Sequence, residues 1–323
     1  MKATVERILD ETARDTRSGI KRIAWGDAEY PAQLRSVPDA PPFLYMRGEI
    51  AIEDALAVAI VGSRRATPYG LDMAERLAGE LATRGVTVVS GLARGIDSAA
   101  HRGALGAGGR TIAVLGSGAD VIYPPENRRL AEEITERGAV VSQFELGTRP
   151  LAFHFPARNR VIAALALGVV VVEAAERSGS LITAGLAAEL GREVMAVPGR
   201  VTSAESRGTH GLIQDGATLV QGWEDVIAQL PTRWQACVRS GVAAGPTSVT
   251  RAGALDEGGP APATMDGAER VLDVLGGDAA TMDEVIQLAG LAPGQASALL
   301  LRLELDGRVR QLEGKRFVRV GGS

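Results

Sequence analysis

The sequence predicts an α/β protein: a doubly wound, mainly parallel sheet, with a short N-terminal segment before it and a small three-helix module behind it. Three observations predict this. Short apolar runs alternate with segments of helical period between residues 56 and 197. Each run is apolar throughout rather than alternating, as in strands buried on both faces. After residue 230 the composition changes abruptly, and a second set of elements follows.

The elements follow in order. Residues 1–54 form a segment punctuated by Pro31, Pro38, Pro41 and Pro42, which leaves no room for a long helix after Tyr30. Residues 56–61 (LAVAIV) read as a buried strand ending at Gly62, and residues 70–84 have helical apolar spacing. Strands are then expected at 86–89, 111–115, 140–141, 169–172 and 194–197, and helices at 98–107, 126–137, 160–167 and 181–190. The sheet domain therefore spans 55–230. Residues 231–265 are rich in Gly, Ala, Pro, Ser and Thr without apolar periodicity, the signature of a flexible linker. Within 266–323, helices at 269–275, 282–289 and 294–306 precede a hairpin of 309–312 and 316–320 turning near Gly314, which suggests a winged helix.

Bulk properties narrow the function. The chain has 323 residues, formal net charge −4 and one cysteine, Cys237, so no internal disulfide framework is possible. The first twenty residues are charged throughout and no apolar run of membrane-spanning length occurs, so a soluble cytoplasmic protein without membrane contact is expected. Only Lys2, Lys21 and Lys315 are lysines; nearly every cation is an arginine, whose planar fork suits bidentate phosphate contacts.

Four segments at strand ends carry anion-binding chemistry. The first is Gly62-Ser63-Arg64-Arg65. The second is Ser90-Gly91-Leu92-Ala93-Arg94-Gly95, opening a helix on which Asp97 is placed to cap and His101 reads as a structural residue. The third is Phe155-Pro156-Ala157-Arg158-Asn159-Arg160, just before an apolar helix, where arginines beside Phe153 and Phe155 could hold phosphates and stack a base. The fourth is Ser178-Gly179-Ser180, at a helix start where N–H groups and hydroxyls converge. One mononucleotide needs fewer such loops; a polyanion could use them all.

With these loops in hand, the chain resembles the DprA family (DNA processing protein A, also called Smf). The matching blocks are VAIVGSRRATPYG (58–70), VSGLARGIDSAAH (89–101), TIAVLGSGADVIYPPEN (111–127), FPARNRVIA (155–163), VVEAAERSGSLITA (171–184) and VPGR (197–200), with YPAQLRSVPDAPPFLYMRG (30–48) upstream. The resemblance implies an extended Rossmann fold, a homodimer, and binding of single-stranded DNA without sequence reading. It also implies protection of incoming strands and loading of the RecA recombinase onto them in natural transformation. Carried over, it implies Ser63, Arg64, Ser90, Gly91, Arg94, Phe155, Arg158, Asn159, Ser178, Gly179 and Ser180 as DNA contacts, with Arg65 and Arg160 beside them. A lysine that some members carry three residues before the phenylalanine is Ala152 here, and Arg149 could substitute for it.

Rival chemistries fit less well. Nucleoside-monophosphate hydrolases of the lysine-decarboxylase-like group share this sheet, but the acid expected three residues after Thr183 is Leu186. A dinucleotide enzyme would need a third glycine after Gly116-Ser117-Gly118, where Val121 stands. No carboxylate cluster at metal-ligand spacing occurs on the loops. Binding without a catalytic residue, metal or cofactor is therefore expected. Residues 266–323 hold nine acids and seven bases, so the terminal module is expected to contact protein or to touch duplex DNA weakly.

Overall fold

The computed structural model describes residues 19–238 continuously and, beyond them, residues 272, 275, 280, 281, 284, 285, 288, 300, 303, 308–312 and 316–319. Two compact units divide the chain between Gly245 and Pro246.

In the first unit the elements are β1 (Lys21–Ala24), α1 (Ala32–Arg35), β2 (Phe43–Gly48), β3 (Ala57–Val61), α2 (Pro68–Thr83), β4 (Thr87–Ser90), α3 (Ile96–Gly106), β5 (Thr111–Val114), α4 (Arg128–Arg137), β6 (Ala139–Ser142), α5 (His154–Leu165), β7 (Gly168–Val171), α6 (Gly179–Glu189), β8 (Glu193–Ala196), α7 (Arg207–Gln214), β9 (Thr218–Leu219), α8 (Trp223–Gln229) and α9 (Thr232–Gln235). All nine strands join one sheet in the order β1-β2-β6-β5-β4-β3-β7-β8-β9. Strands β3 to β9 are mutually parallel, as the apolar runs require. The proline-punctuated N-terminal segment does more than precede the sheet. Its β2 pairs antiparallel with β6, and β1 pairs antiparallel with β2.

Alternation along the strands sorts the core into two layers. Ala57, Ala59 and Val61 of β3 face Val161, Ile162 and Leu165 of α5, with Ala184 and Ala187 of α6. Val58 and Ile60 face Met73, Leu77 and Leu81 of α2 and Ile96 and Ala100 of α3. Leu130 and Ile134 of α4 cover Ala113 and Val140. Helices thus cover both faces, and the loops leaving the carboxyl ends of the parallel strands share one edge, the position where such sheets hold ligands. Among the described residues no helix is long and apolar enough to cross a membrane.

Helix α5 begins at His154, six residues before the start expected from its apolar pattern. Pro156 falls within its first turn, where the missing N–H has no intrahelical partner to lose. Residues 155–160 therefore lie on a helix, not in a loop. Beyond the sheet, residues 231–238 of the expected linker are folded: α9 follows Pro231, and Trp234 and Val238 pack on the α2–α3 layer. The remainder of that expected linker lies outside the described residues.

The second unit has a three-stranded antiparallel sheet, β10 (Ala280–Thr281), β11 (Val309–Leu312) and β12 (Arg316–Arg319), in the order β10-β12-β11. The hairpin is as expected; β10 adds a third strand that two residues of sequence did not reveal. Leu272, Leu275, Val285, Leu300, Leu303, Val309 and Phe317 are buried, and the expected turn near Gly314 lies outside the described residues.

Candidate functional site

The sheet's carboxyl edge brings most of the expected residues together, in two depths. The loop after β3 is folded on itself. Ser63 is buried; its N–H donates to the Glu173 carbonyl at 2.7 Å and its Oγ accepts from the Arg65 N–H at 3.1 Å. This leaves Arg64 and Arg65 exposed. The Arg64 guanidinium lies over the Phe155 ring, 4.8 Å from its centroid.

The loop after β4 lies deeper. Ser90 is fully buried and its Oγ donates to the Ile60 carbonyl at 2.7 Å, tying β4 to β3. Gly91 is required by contact, because a Cβ there would overlap the Arg158 guanidinium. Gly95 is required by conformation: its φ of +75° is in the left-handed region, and a Cβ would overlap the Ser63 carbonyl. Gly95 is also the residue that starts α3, so Asp97 is not the cap its position suggested. Asp97 sits inside the first turn, and its carboxylate accepts the Ala93 N–H at 3.2 Å. Burial pushes its carboxyl above the usual range, and the Arg158 cation opposes that rise. Arg94 is exposed and pairs with Glu126, while Asn127 donates to the Leu92 carbonyl and to Ser98 Oγ, both at 2.8 Å. His101 is structural, as expected: fully buried, with Nδ1 2.7 Å from Thr111 Oγ1 and its pKa pushed down to about 3 by burial.

Helix α5 presents its residues to different surroundings. Phe155 lies half-buried in the cleft, with Tyr123 beside it at 6.3 Å between ring centroids. Arg158 is 4 % exposed. Its Nη1 donates to the Gly91 carbonyl and, at 2.8 Å, to the Val114 carbonyl; its Nε donates to Asn159 Oδ1 at 3.1 Å. Desolvation lowers its pKa to about 10, which still leaves it cationic at neutral pH. Asn159 reaches across to the Gly179 carbonyl at 3.4 Å. Arg160 is the residue the fold does not bring in. It turns toward the Pro38 carbonyl at 3.3 Å and toward Asp39 and Glu189 at 3.9 and 3.7 Å. On the fourth segment, Ser178 caps α6, accepting the Ser180 N–H at 3.3 Å, and the two hydroxyls lie 2.7 Å apart.

Two hollows result. The larger, of about 370 Å³, lies between the loop after β3, helix α5 and the Ser178–Thr183 turn. The smaller lies toward Gly91, Gly116 and Tyr123. Arg64, Ala93, Phe155 and Arg158 border both, so Phe155 and Arg64 form the divide between them. Tyr123 was missed as a candidate; the signal was an aromatic in a chain with four tyrosines, standing in the YPPEN stretch after the Gly116–Gly118 turn. Ala152 lines the larger hollow, and Arg149 is exposed nearby in sequence. Leu186 packs on the core, where the hydrolase reading needed an acid. Among the described residues no group of His, Cys, Asp and Glu side chains could hold a metal ion.

The chain has relatives in sequence and in fold. A family model for DNA recombination-mediator protein A matches residues 21–231. A model for the DprA winged helix domain matches residues 256–315. Smf from Escherichia coli (strain K12) is 48% identical over 202 residues, 62% of this chain and 54% of Smf, so the chain spans about half the length of that relative. The X-ray structure of DprA from Streptococcus pneumoniae superposes with a TM-score of 0.64 at 44% identity, covering 68% of this chain and 78% of that one. A structure of DNA processing protein A from Helicobacter pylori, described for its single-stranded DNA binding mode, superposes with a TM-score of 0.59 at 33% identity, covering 65% and 94%. The chain belongs to the DprA family, with an extended Rossmann-like sheet domain and a C-terminal winged helix.

Proposed function

We propose that the chain binds single-stranded DNA without reading its sequence, protects it, and loads the RecA recombinase onto it during natural transformation, acting in the cytoplasm as a homodimer and without catalysis. The observation that carries the binding reading is Arg64 laid over Phe155 on the divide between two hollows. A guanidinium beside an aromatic face offers a phosphate its charge and a base its stacking surface. Arg65 and Arg94 add cations on the rim, and the Ser178-Gly179-Ser180 segment brings two hydroxyls to the start of α6, where the helix dipole favours an anion. Arg158, Asn159, Ser90, Gly91 and Ser63 shape this surface from beneath. Single strands are favoured over duplex because a stacked base must be free of its partner strand, and the H. pylori relative is described as binding single strands. The terminal module is read as a protein contact with at most a weak duplex contact; truncation after Val238 is expected to lower strand affinity less than loss of Arg64 does.

The test is a salt titration of the intact protein against single-stranded DNA, duplex DNA and mononucleotides. Single strands should bind tightest, with log affinity falling linearly in log salt by about 0.7 for each phosphate neutralised. Equal affinity for all three ligands, or a flat salt response, would sink the reading.

A further inference from the structure

Every exposed aromatic side chain among the described residues lies on one edge of the sheet. These are Trp25, Phe43, Tyr69, Tyr123 and Phe153, with Phe153 71% exposed. The strand registers place them. Tyr45 of β2 sits opposite Ser142, the last residue of β6, so Phe43 lies beyond the carboxyl end of β6. Ala24 pairs with Phe43, so Trp25, the next residue, lies at that edge too. Tyr123 and Phe153 follow β5 and β6 before the next helices begin, and Tyr69 opens α2 after β3. At the opposite edge Ile52 is exposed, but no ring is. Exposed aromatic surface is unfavourable in water, and its confinement to one edge marks a binding surface.

The far end of this edge repeats the chemistry of the cleft. The Arg22 guanidinium lies over the Phe43 ring at 5.0 Å, as Arg64 lies over Phe155 at 4.8 Å. Beside it, the Asp27 carboxylate is engaged by the Ala24 N–H at 2.7 Å. We propose that Trp25, Phe43 and Arg22 form a second stacking station, reached by the same single strand after it leaves the cleft and crosses the ends of β5, β6 and β2. This rests on the reading of the cleft as a single-strand site. From β3 to β1 is five steps in the strand order, about 24 Å at the usual 4.8 Å spacing. A stacked strand advancing about 3.4 Å per nucleotide needs roughly seven nucleotides to cover it. An occupant that carries phosphates and flat faces at a regular repeat fits alternating arginines and rings.

Full-length protein is titrated with oligothymidylates of about 4 and about 16 nucleotides, the range of single-strand site sizes. The combined change Trp25→Ala with Phe43→Ala should leave the short strand's affinity within about twofold and cut the long strand's by on the order of tenfold or more. Trp25→Phe, a mild change that guards against misfolding, gives a second readout: the long strand should quench tryptophan fluorescence in the parent, and that quench should vanish in the variant. An unchanged length dependence in the double variant, or an equal quench in Trp25→Phe, would overturn the proposal. So would retained length dependence together with loss of self-association, which would make the rings a contact between copies. Arg64→Ala keeps the two readings apart: it should weaken both lengths alike, and unaltered binding there would overturn the cleft reading rather than the second station alone.

Discussion

The arginines of two segments at the sheet's carboxyl edge occupy opposite environments. Arg64 and Arg65, on the loop after β3, are exposed; Arg158, on the first turns of α5, is buried near Asp97 and donates to two backbone carbonyls. The outer layer of the site (Arg64, Arg65, Arg94, Phe155, Ser178) can touch a ligand. The inner layer (Ser90, Gly91, Asp97, His101, Arg158) holds three strand ends in register beneath it. A buried cation anchored to the protein's own carbonyls positions a surface, whereas an exposed cation makes the contact.

The sharpest way to break this division is Arg158→Ala. It removes the cation that opposes the burial of Asp97 and leaves the buried Gly91 and Val114 carbonyls without their donor, and a buried polar group left unsatisfied costs about 1–3 kcal/mol. The expected result is a large loss in unfolding free energy by denaturant titration, with DNA binding falling because the protein unfolds. Retained stability would move Arg158 to the outer layer. His101 tests the inner layer by pH. Its folded-state pKa, about 3, lies below the ordinary 6.5, so the unfolded chain takes up a proton that the folded chain refuses. Stability is therefore full above pH 6.5 and declines as pH falls toward 3. His101→Gln should flatten that stretch of the curve, read by unfolding at a series of pH values. In the outer layer, Phe155→Ala should cost about 1–3 kcal/mol of single-strand binding if the ring stacks a base. Arg64→Ala should leave the melting temperature nearly unaltered, weaken binding to all sequences alike, and reduce the salt slope by about 0.7. The smallest effect belongs to Arg160→Ala, whose contacts face Pro38, Asp39 and Glu189. It should leave the salt slope where it was and change stability by no more than about 1 kcal/mol, as for partly exposed ion pairs; a lowered slope would bring Arg160 back into the site.

The parallel strands were legible because burial on both faces leaves an unbroken apolar run, which residues 57–61 and 168–171 display. Strands β1 and β2 were not, because four prolines nearby masked two short runs, and β6, on which β2 pairs, lies about a hundred residues away in sequence. The loops of the site were legible as glycine, serine and arginine at strand ends. Their depth was not. Whether Arg158 faces water depends on where α5 starts; the apolar pattern begins only at residue 160, whereas the helix begins at His154 and tolerates Pro156 in its first turn. Asp97 was misread for a related reason: Gly95, in a left-handed conformation, starts the helix two residues before it.

The antiparallel pairing of β2 on β6 also bears on how the protein can be handled. Strand β6 is flanked on one side by β5 and on the other only by β2. A version trimmed to begin near residue 50 would retain every loop of the cleft, yet would leave the Ala139–Ser142 backbone as an open row of unpaired N–H and C=O groups beside an apolar core. Such an edge is a template for pairing with another chain. The N-terminal strands are thus a guard against aggregation, and any shortened form meant to stay in solution has to keep them.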